Sequence, residues 1–117
     1  MSRIVHVDNS EFFRKMVKAY LKTLGHESEG FGLAEEAIAV VKNNGADCVI
    51  AGLELADMDS TEFIDRILDT QQGVPIIVIT SKEDPVLHMR LEMLGVKAVI
   101  QKTGDWKNEL GNQLASI

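Results

Sequence analysis

Polar and apolar positions follow two different periods along this chain. Short apolar runs of strand length occur at residues 3–7, 46–54, 76–79 and 97–101. Between them, apolar residues recur every three or four positions, as on one face of a helix. Cys48, Val49, Ile50 and Ala51 leave no polar side, which predicts a strand covered on both faces, as in a parallel sheet. A weaker strand is predicted at residues 27–29, at a sheet edge. The first helix is predicted from a cap at Asn9 or Ser10 to about residue 24. Phe12, Phe13, Met16, Val17, Tyr20, Leu21 and Leu24 form its apolar positions, and Gly25 stops it. A second helix over 33–43 turns Ala34, Ala37, Ile38 and Val41 inward. Asp59 and Glu62 have capping-box spacing, so a third helix starts near Ser60 and buries Phe63, Ile64, Ile67 and Leu68. Asp84-Pro85 opens a fourth, with Leu87, Leu91 and Leu94 inward and its end at Gly95. A short fifth helix is expected at 105–115.

Five strands alternating with five helices across short connections predict right-handed crossovers and a doubly wound α/β domain. Residues 1–117 read as one such (βα)5 domain, flavodoxin-like, with sheet order 2-1-3-4-5. That order gathers the carboxyl ends of strands one, three, four and five, so Asp8, Gly52, Thr80 and Lys102 converge on one cleft. The outer ends supply a carboxylate, an amide, hydroxyls and an ammonium. The central strand ends at Gly52 and supplies no side chain.

Charge narrows the function. The chain of 117 residues is 45% hydrophobic and 26% charged, with a formal net charge of -6. An acidic surface argues against a grip on nucleic acid or an anionic membrane. No long apolar segment or leader pattern is present, so a cytoplasmic location is expected. The lone Cys48 reads as a buried structural thiol. His6, His26 and His88 share no metal-ligand spacing, and His6 is expected to be a satisfied core histidine. Asp57-Met58-Asp59 opens like a calcium loop, but the twelfth position is Leu68, which removes that reading. Gly30-Phe31-Gly32 matches half of a dinucleotide fingerprint and lacks its third glycine.

Several segments, in order, resemble one family over essentially the whole length. They are Val7-Asp8-Asn9-Ser10 with Arg14 and Leu24-Gly25-His26-Glu27; Met58 through Ile64; Pro75-Ile76-Ile77-Val78-Ile79-Thr80-Ser81; and Leu94 through Lys102. The chain resembles the receiver domain of bacterial response regulators. The resemblance implies a site in which two acidic residues after strand one and an aspartate after strand three hold Mg²⁺. That aspartate takes a phosphoryl group from a histidine kinase, and a hydroxyl residue and a lysine bind its oxygens. Here Asp8 matches one acidic residue and Asn9 replaces the other. Thr80 and Lys102 match the phosphoryl-binding pair. Gly52 falls at the phosphoacceptor position, Val99 replaces an aromatic, and Thr103 replaces a proline.

The resemblance therefore implies a degenerate, or pseudo-, receiver of two-component phosphorelay signalling. It is not expected to be an enzyme or to need a cofactor, and Mg²⁺ binding by Asp8, Asn9 and Glu54 is expected to be weak or absent. It would act by phosphorylation-independent protein–protein interaction with a histidine kinase, an effector domain or a second copy, and not with nucleic acid or membrane. Two alternatives stay open: a receiver phosphorylated on another residue, and a small-ligand or anion binder using the vacated cleft.

Two further features bear on this. Glu54 follows Gly52 by two residues, so in an extended chain both point the same way. It is either a solvated loop glutamate or a carboxylate that swings into the empty space to pair with Lys102 or assist Asp8. Val86, Met89 and Met93 form a second stripe on the fourth helix, either a widened core face or a Met-bearing contact surface. With Val99 and Trp106 they make a candidate interaction face, unless Trp106 simply covers the sheet edge.

Overall fold

The short apolar runs and the weaker segment after the first helix become the strands of one five-stranded parallel sheet, in a computed structural model that describes residues 2–117. The elements are β1 (Arg3–Val7), α1 (Glu11–Thr23), β2 (Glu27–Phe31), α2 (Ala34–Asn44), β3 (Cys48–Ala51), α3 (Ser60–Thr70), β4 (Ile76–Thr80), α4 (Pro85–Met93), β5 (Ala98–Gln101) and α5 (Trp106–Leu114). The strand order is β2-β1-β3-β4-β5 and every neighbouring pair is parallel, the flavodoxin-like order that the alternation predicts.

Strand pleating sorts the core into two layers. Ile4, Cys48, Ile50, Ile77 and Ile79 face α1 and α5, where they meet Phe13, Val17, Leu21, Leu110 and Leu114. Their neighbours Val5, Val7, Val49, Ala51, Ile76 and Val78 face the other way, against α2, α3 and Leu91 of α4. Successive side chains of a strand point to opposite faces, so a run apolar at every position is required where both faces are covered. Burial pushes the Cys48 thiol up to about 12, so it stays protonated within the first layer.

Several helix expectations need correction. Phe12, grouped by spacing with the apolar positions of the first helix, is 74% exposed. The buried stripe of α1 is Phe13, Val17 and Leu21, spaced by four, and Phe12 lies about 100° away from it around the helix axis. Leu24 caps the end of the helix and is also exposed. Asp59 stands at the cap of α3 without bonding its backbone, because its carboxylate accepts from the Thr61 hydroxyl at 2.9 Å instead. Trp106 is buried against Phe13 and Tyr20, with ring centroids at 5.1 and 5.8 Å, and so covers the sheet layer. Gly111 makes room for this packing: a Cβ there would sit 2.7 Å from the Tyr20 hydroxyl.

The start of α2 draws its cap from a distant part of the chain. Leu33 has no side-chain acceptor to offer. The Asp57 carboxylate, beyond β3, accepts from the amides of Ala34 at 2.8 Å and Glu35 at 3.0 Å. These bonds satisfy two orphan donors of the helix and tie the β3–α3 loop to α2. The same two backbone bonds hold the Asp57 carboxyl below the usual carboxylate range. A carboxyl depressed in the folded state stabilises above its unfolded pKa, and that contribution fades as pH falls through the folded value. Asp57→Ala should therefore melt below wild type at pH 7. The gap in melting temperature should narrow as the pH is taken below about 4. A pH-independent gap would mean that the side chain acts by packing rather than by its charge.

Candidate functional site

The carboxyl ends of β1, β3, β4 and β5 meet at one cavity of about 180 Å³, lined by Asp8, Asn9, Gly52, Glu54, Thr80 and Lys102 among others. Backbone bonds hold the rim in register. The Gly52 amide donates to the Val7 carbonyl at 2.9 Å, and the Lys102 amide to that of Thr80 at 2.7 Å. Each bond extends the sheet ladder by one residue past the strand end and fixes where the next side chain emerges.

Asp8 is buried, and both of its carboxylate oxygens are engaged. Oδ1 accepts from the Ser10 amide at 2.8 Å, while the Ser10 hydroxyl caps α1 by accepting from the Phe13 amide at 3.2 Å. Oδ2 lies 2.9 Å from the Lys102 Nζ. That contact lacks the angle of a formed hydrogen bond, so Oδ2 is held by charge alone. The same ammonium sits 4.3 Å from the centre of the Phe13 ring, where the ring face attracts a cation. Gly52 makes this arrangement fit. A Cβ on residue 52 would stand 2.9 Å from Asp8 Oδ2, closer than real Cβ contacts come, and would displace that oxygen. Of the cleft carboxylates, that of Asp8 is the one that lies beside residue 52. Glu54 lines the cavity at an exposed position and pairs with neither Asp8 nor Lys102; its nearest cation is Lys82 at 4.0 Å.

The remaining cleft residues are similarly committed. The buried Thr80 hydroxyl accepts from the Lys82 amide at 3.0 Å and so shapes the β4–α4 loop. Asn9 is exposed. Among the described residues no three His, Cys, Asp or Glu side chains cluster as ligands for a metal ion. Mg²⁺ requires a near-octahedral set of oxygens. Asp8 is the one buried carboxylate of the cleft, and the Lys102 ammonium lies against it.

His6 was expected to be a satisfied core histidine, but its Nε2 is buried without a partner. It packs edge-on to Phe13 at 6.0 Å. Burial lowers its pKa to about 4, against the pull of Asp8 and with the help of Lys102 and Arg14. Arg14 accounts for Gly30-Phe31-Gly32. Its side chain lies across both glycines, where added Cβ atoms would come within 3.4 and 3.3 Å of it, and its guanidinium donates to the Asp8 carbonyl at 2.6 Å. The two glycines therefore seat an arginine and do not form a nucleotide loop.

On the candidate interaction face, Val86, Met89 and Met93 project from α4 and are 64%, 60% and 81% exposed. Leu91 is the inward residue of that helix, with Leu87 and Leu94 packed beside it. Val99 is half-buried against the core and Trp106 is buried, so these two do not extend the exposed stripe.

Two outcomes are expected. Lys102→Met leaves the buried Asp8 carboxylate without a counter-charge, so stability at neutral pH should fall by about 1–3 kcal/mol rather than by the fraction typical of a surface pair. Urea unfolding measures this, and an unchanged midpoint would show that Asp8 does not depend on the ammonium. His6 gives a pH signature. Its folded pKa lies below the unfolded one, so the unfolded chain binds the proton more readily. The stability present above pH 6.5 should be lost as pH falls towards about 4, by an amount on the order of 3 kcal/mol. His6→Leu should flatten this part of the pH–stability curve, and an identical slope in the variant would exclude His6 as its source.

No helix among the described residues is long and apolar enough to cross a membrane. The chain is 30% identical over 84 residues to the DNA-binding response regulator MtrA of Mycolicibacterium smegmatis, covering 72% of the chain and 36% of that protein. It is 29% identical over 85 residues to a gliding motility regulatory protein of Myxococcus xanthus, covering 71% of the chain and 11% of that protein. The chain thus spans a third or less, to just over a third, of the curated relatives it matches. Among solved structures, the chemotaxis protein CheY4 of Vibrio cholerae superposes with a TM-score of 0.89 at 22% identity, over 100% of this chain and 99% of that one. A CheY-like receiver domain protein of Methanospirillum hungatei gives 0.90 at 22%, over 99% and 92%. These structural likenesses bear on the fold. The family model of the response regulator receiver domain matches residues 4–113, and the chain belongs to that family, the receiver domains of two-component response regulators.

Proposed function

We propose that this receiver domain works by protein–protein contact and accepts no phosphoryl group at the end of β3. One observation carries the reading. Residue 52 is a glycine, and the space beside it holds Asp8 Oδ2 paired with Lys102. An aspartyl phosphate needs a carboxylate nucleophile there. It also needs cationic groups free to meet the incoming charge. Here the nucleophile is absent and the lysine is neutralised from within. Loss of the second acidic residue at Asn9 points the same way, and the domain would need no Mg²⁺. An anion-binding role for the cleft has less support, because the buried Asp8 carboxylate offsets the one ammonium that lines the cavity. A partner protein would meet the exposed Val86, Met89 and Met93 of α4, the apolar stripe that the core leaves uncovered. A histidine kinase, an effector domain and a second copy are the candidate partners.

Incubation with acetyl phosphate and Mg²⁺ should leave the intact mass of the protein unchanged. A stable gain of one phosphate on a cleft carboxylate would overturn the proposal. Restoring the missing groups should reverse the behaviour. In Gly52→Asp the new Cβ would stand 2.9 Å from Asp8 Oδ2, so that oxygen must shift. Combined with Asn9→Asp, this places three carboxylates together, and their repulsion should lower the melting temperature in the absence of metal. Added Mg²⁺ should raise the melting temperature of the double variant and leave that of wild type unmoved. No response in the double variant would mean that residue 52 does not stand at the acceptor position.

A further inference from the structure

The β4–α4 loop is fastened to the sheet by a contact that involves none of the cleft residues' side chains. Gln101, the last residue of β5, donates from its amide Nε2 to the Lys82 carbonyl at 3.0 Å. His88, in the second turn of α4, places its Nε2 3.2 Å from the same carbonyl and 3.3 Å from the Gln101 amide nitrogen. A carbonyl has two lone pairs and can accept from both side chains. With the ring proton on Nδ1, His88 Nε2 accepts from the Gln101 amide instead. In the first tautomer the Lys82 carbonyl is tied to β5 and to α4 together; in the second, Gln101 bonds both that carbonyl and His88, so loop and helix are each tied to β5. The amide of Lys82 is held from the other side by the Thr80 hydroxyl at 3.0 Å, so this residue is fixed through both of its backbone groups.

This matters for α4 because the helix has few other ties. Leu91 is its single buried residue, and the first turn is otherwise held by the Asp84 cap. We infer that Gln101 and His88 form a latch that fixes the β4–α4 loop on β5 and so sets the position in which α4 presents Val86, Met89 and Met93. The inference rests on the reading of that stripe as the contact face. It adds that the face is held by a side-chain latch whose closure requires no event in the cleft. Gln101 immediately precedes Lys102, so the strand end that neutralises Asp8 also anchors the loop.

The test is amide hydrogen exchange on the unphosphorylated protein, with Gln101→Leu as the variant. Loss of one such bond is worth about a tenfold change in local opening. Amides in residues 82–90 should therefore exchange about tenfold faster than in wild type, while those of residues 11–23 and 34–44 keep their rates. Unchanged rates over 82–90, or an equal increase along the whole chain, would overturn the latch. Should Gln101→Leu fail to fold, His88→Phe keeps the ring and removes its nitrogens, and the same local increase is required of it. No phosphodonor is present in this experiment. Phosphate labelling of the wild type would therefore overturn the proposed function and leave the latch standing, whereas unchanged exchange would do the reverse.

Discussion

A carboxylate buried at the end of a strand needs a counter-charge, and much of this cleft follows from that need. Asp8 is 3% exposed, and a carboxylate so placed is costly unless it is paired and hydrogen-bonded. Ser10 supplies an amide to one oxygen and Lys102 an ammonium to the other. With no side chain at residue 52, Asp8 Oδ2 keeps this position without a close contact from β3. Lys102 in turn rests over Phe13, whose ring packs against His6 and Trp106. One pair of charges thus connects the ends of β1, β3 and β5 to the layer beneath α1 and α5.

The same pair bears on signalling. Phosphoryl transfer to a receiver needs a carboxylate nucleophile and cationic groups to meet the incoming charge. In this chain the charges balance without a ligand, and the Thr80 hydroxyl is used by the adjoining loop. On α4, Val86, Met89 and Met93 stand free of the core. A module of this kind would transmit by being recognised, and its affinity for a partner would be insensitive to phosphodonors.

The sheet and the convergence of the cleft were legible in the sequence because they depend on local periodicity. Apolar runs in which every position is buried mark covered strands, and alternation with helices leaves one economical strand order. Contacts between distant segments were not legible. Nothing near Leu33 announces that Asp57 caps α2, and nothing near Gln71 announces that its amide bonds both backbone groups of Ala46 at 2.9 and 2.7 Å. Phe12 and Trp106 show the limit of reading sides from spacing. An aromatic at the margin of a helical stripe can fall either way, and packing against α1 draws Trp106 in while Phe12 is left out. The rule that residues two apart share a face fails for Glu54, since β3 ends at Ala51 and the chain is no longer a strand beyond it. Gly30 and Gly32 carried a real signal, but its meaning depended on Arg14 from another element.

The most direct test of the central claim is a double-mutant cycle on Asp8→Asn and Lys102→Met, measured by urea unfolding in the wild-type and Gly52→Ala backgrounds. With glycine at 52 the two side chains should show a favourable coupling of about 1–3 kcal/mol. With alanine there, the added Cβ displaces Asp8 Oδ2, and the coupling should largely vanish. Additive effects in the wild-type background, or a coupling unaffected by Gly52→Ala, would contradict the claim that the missing side chain at residue 52 lets the cleft close on its own charges.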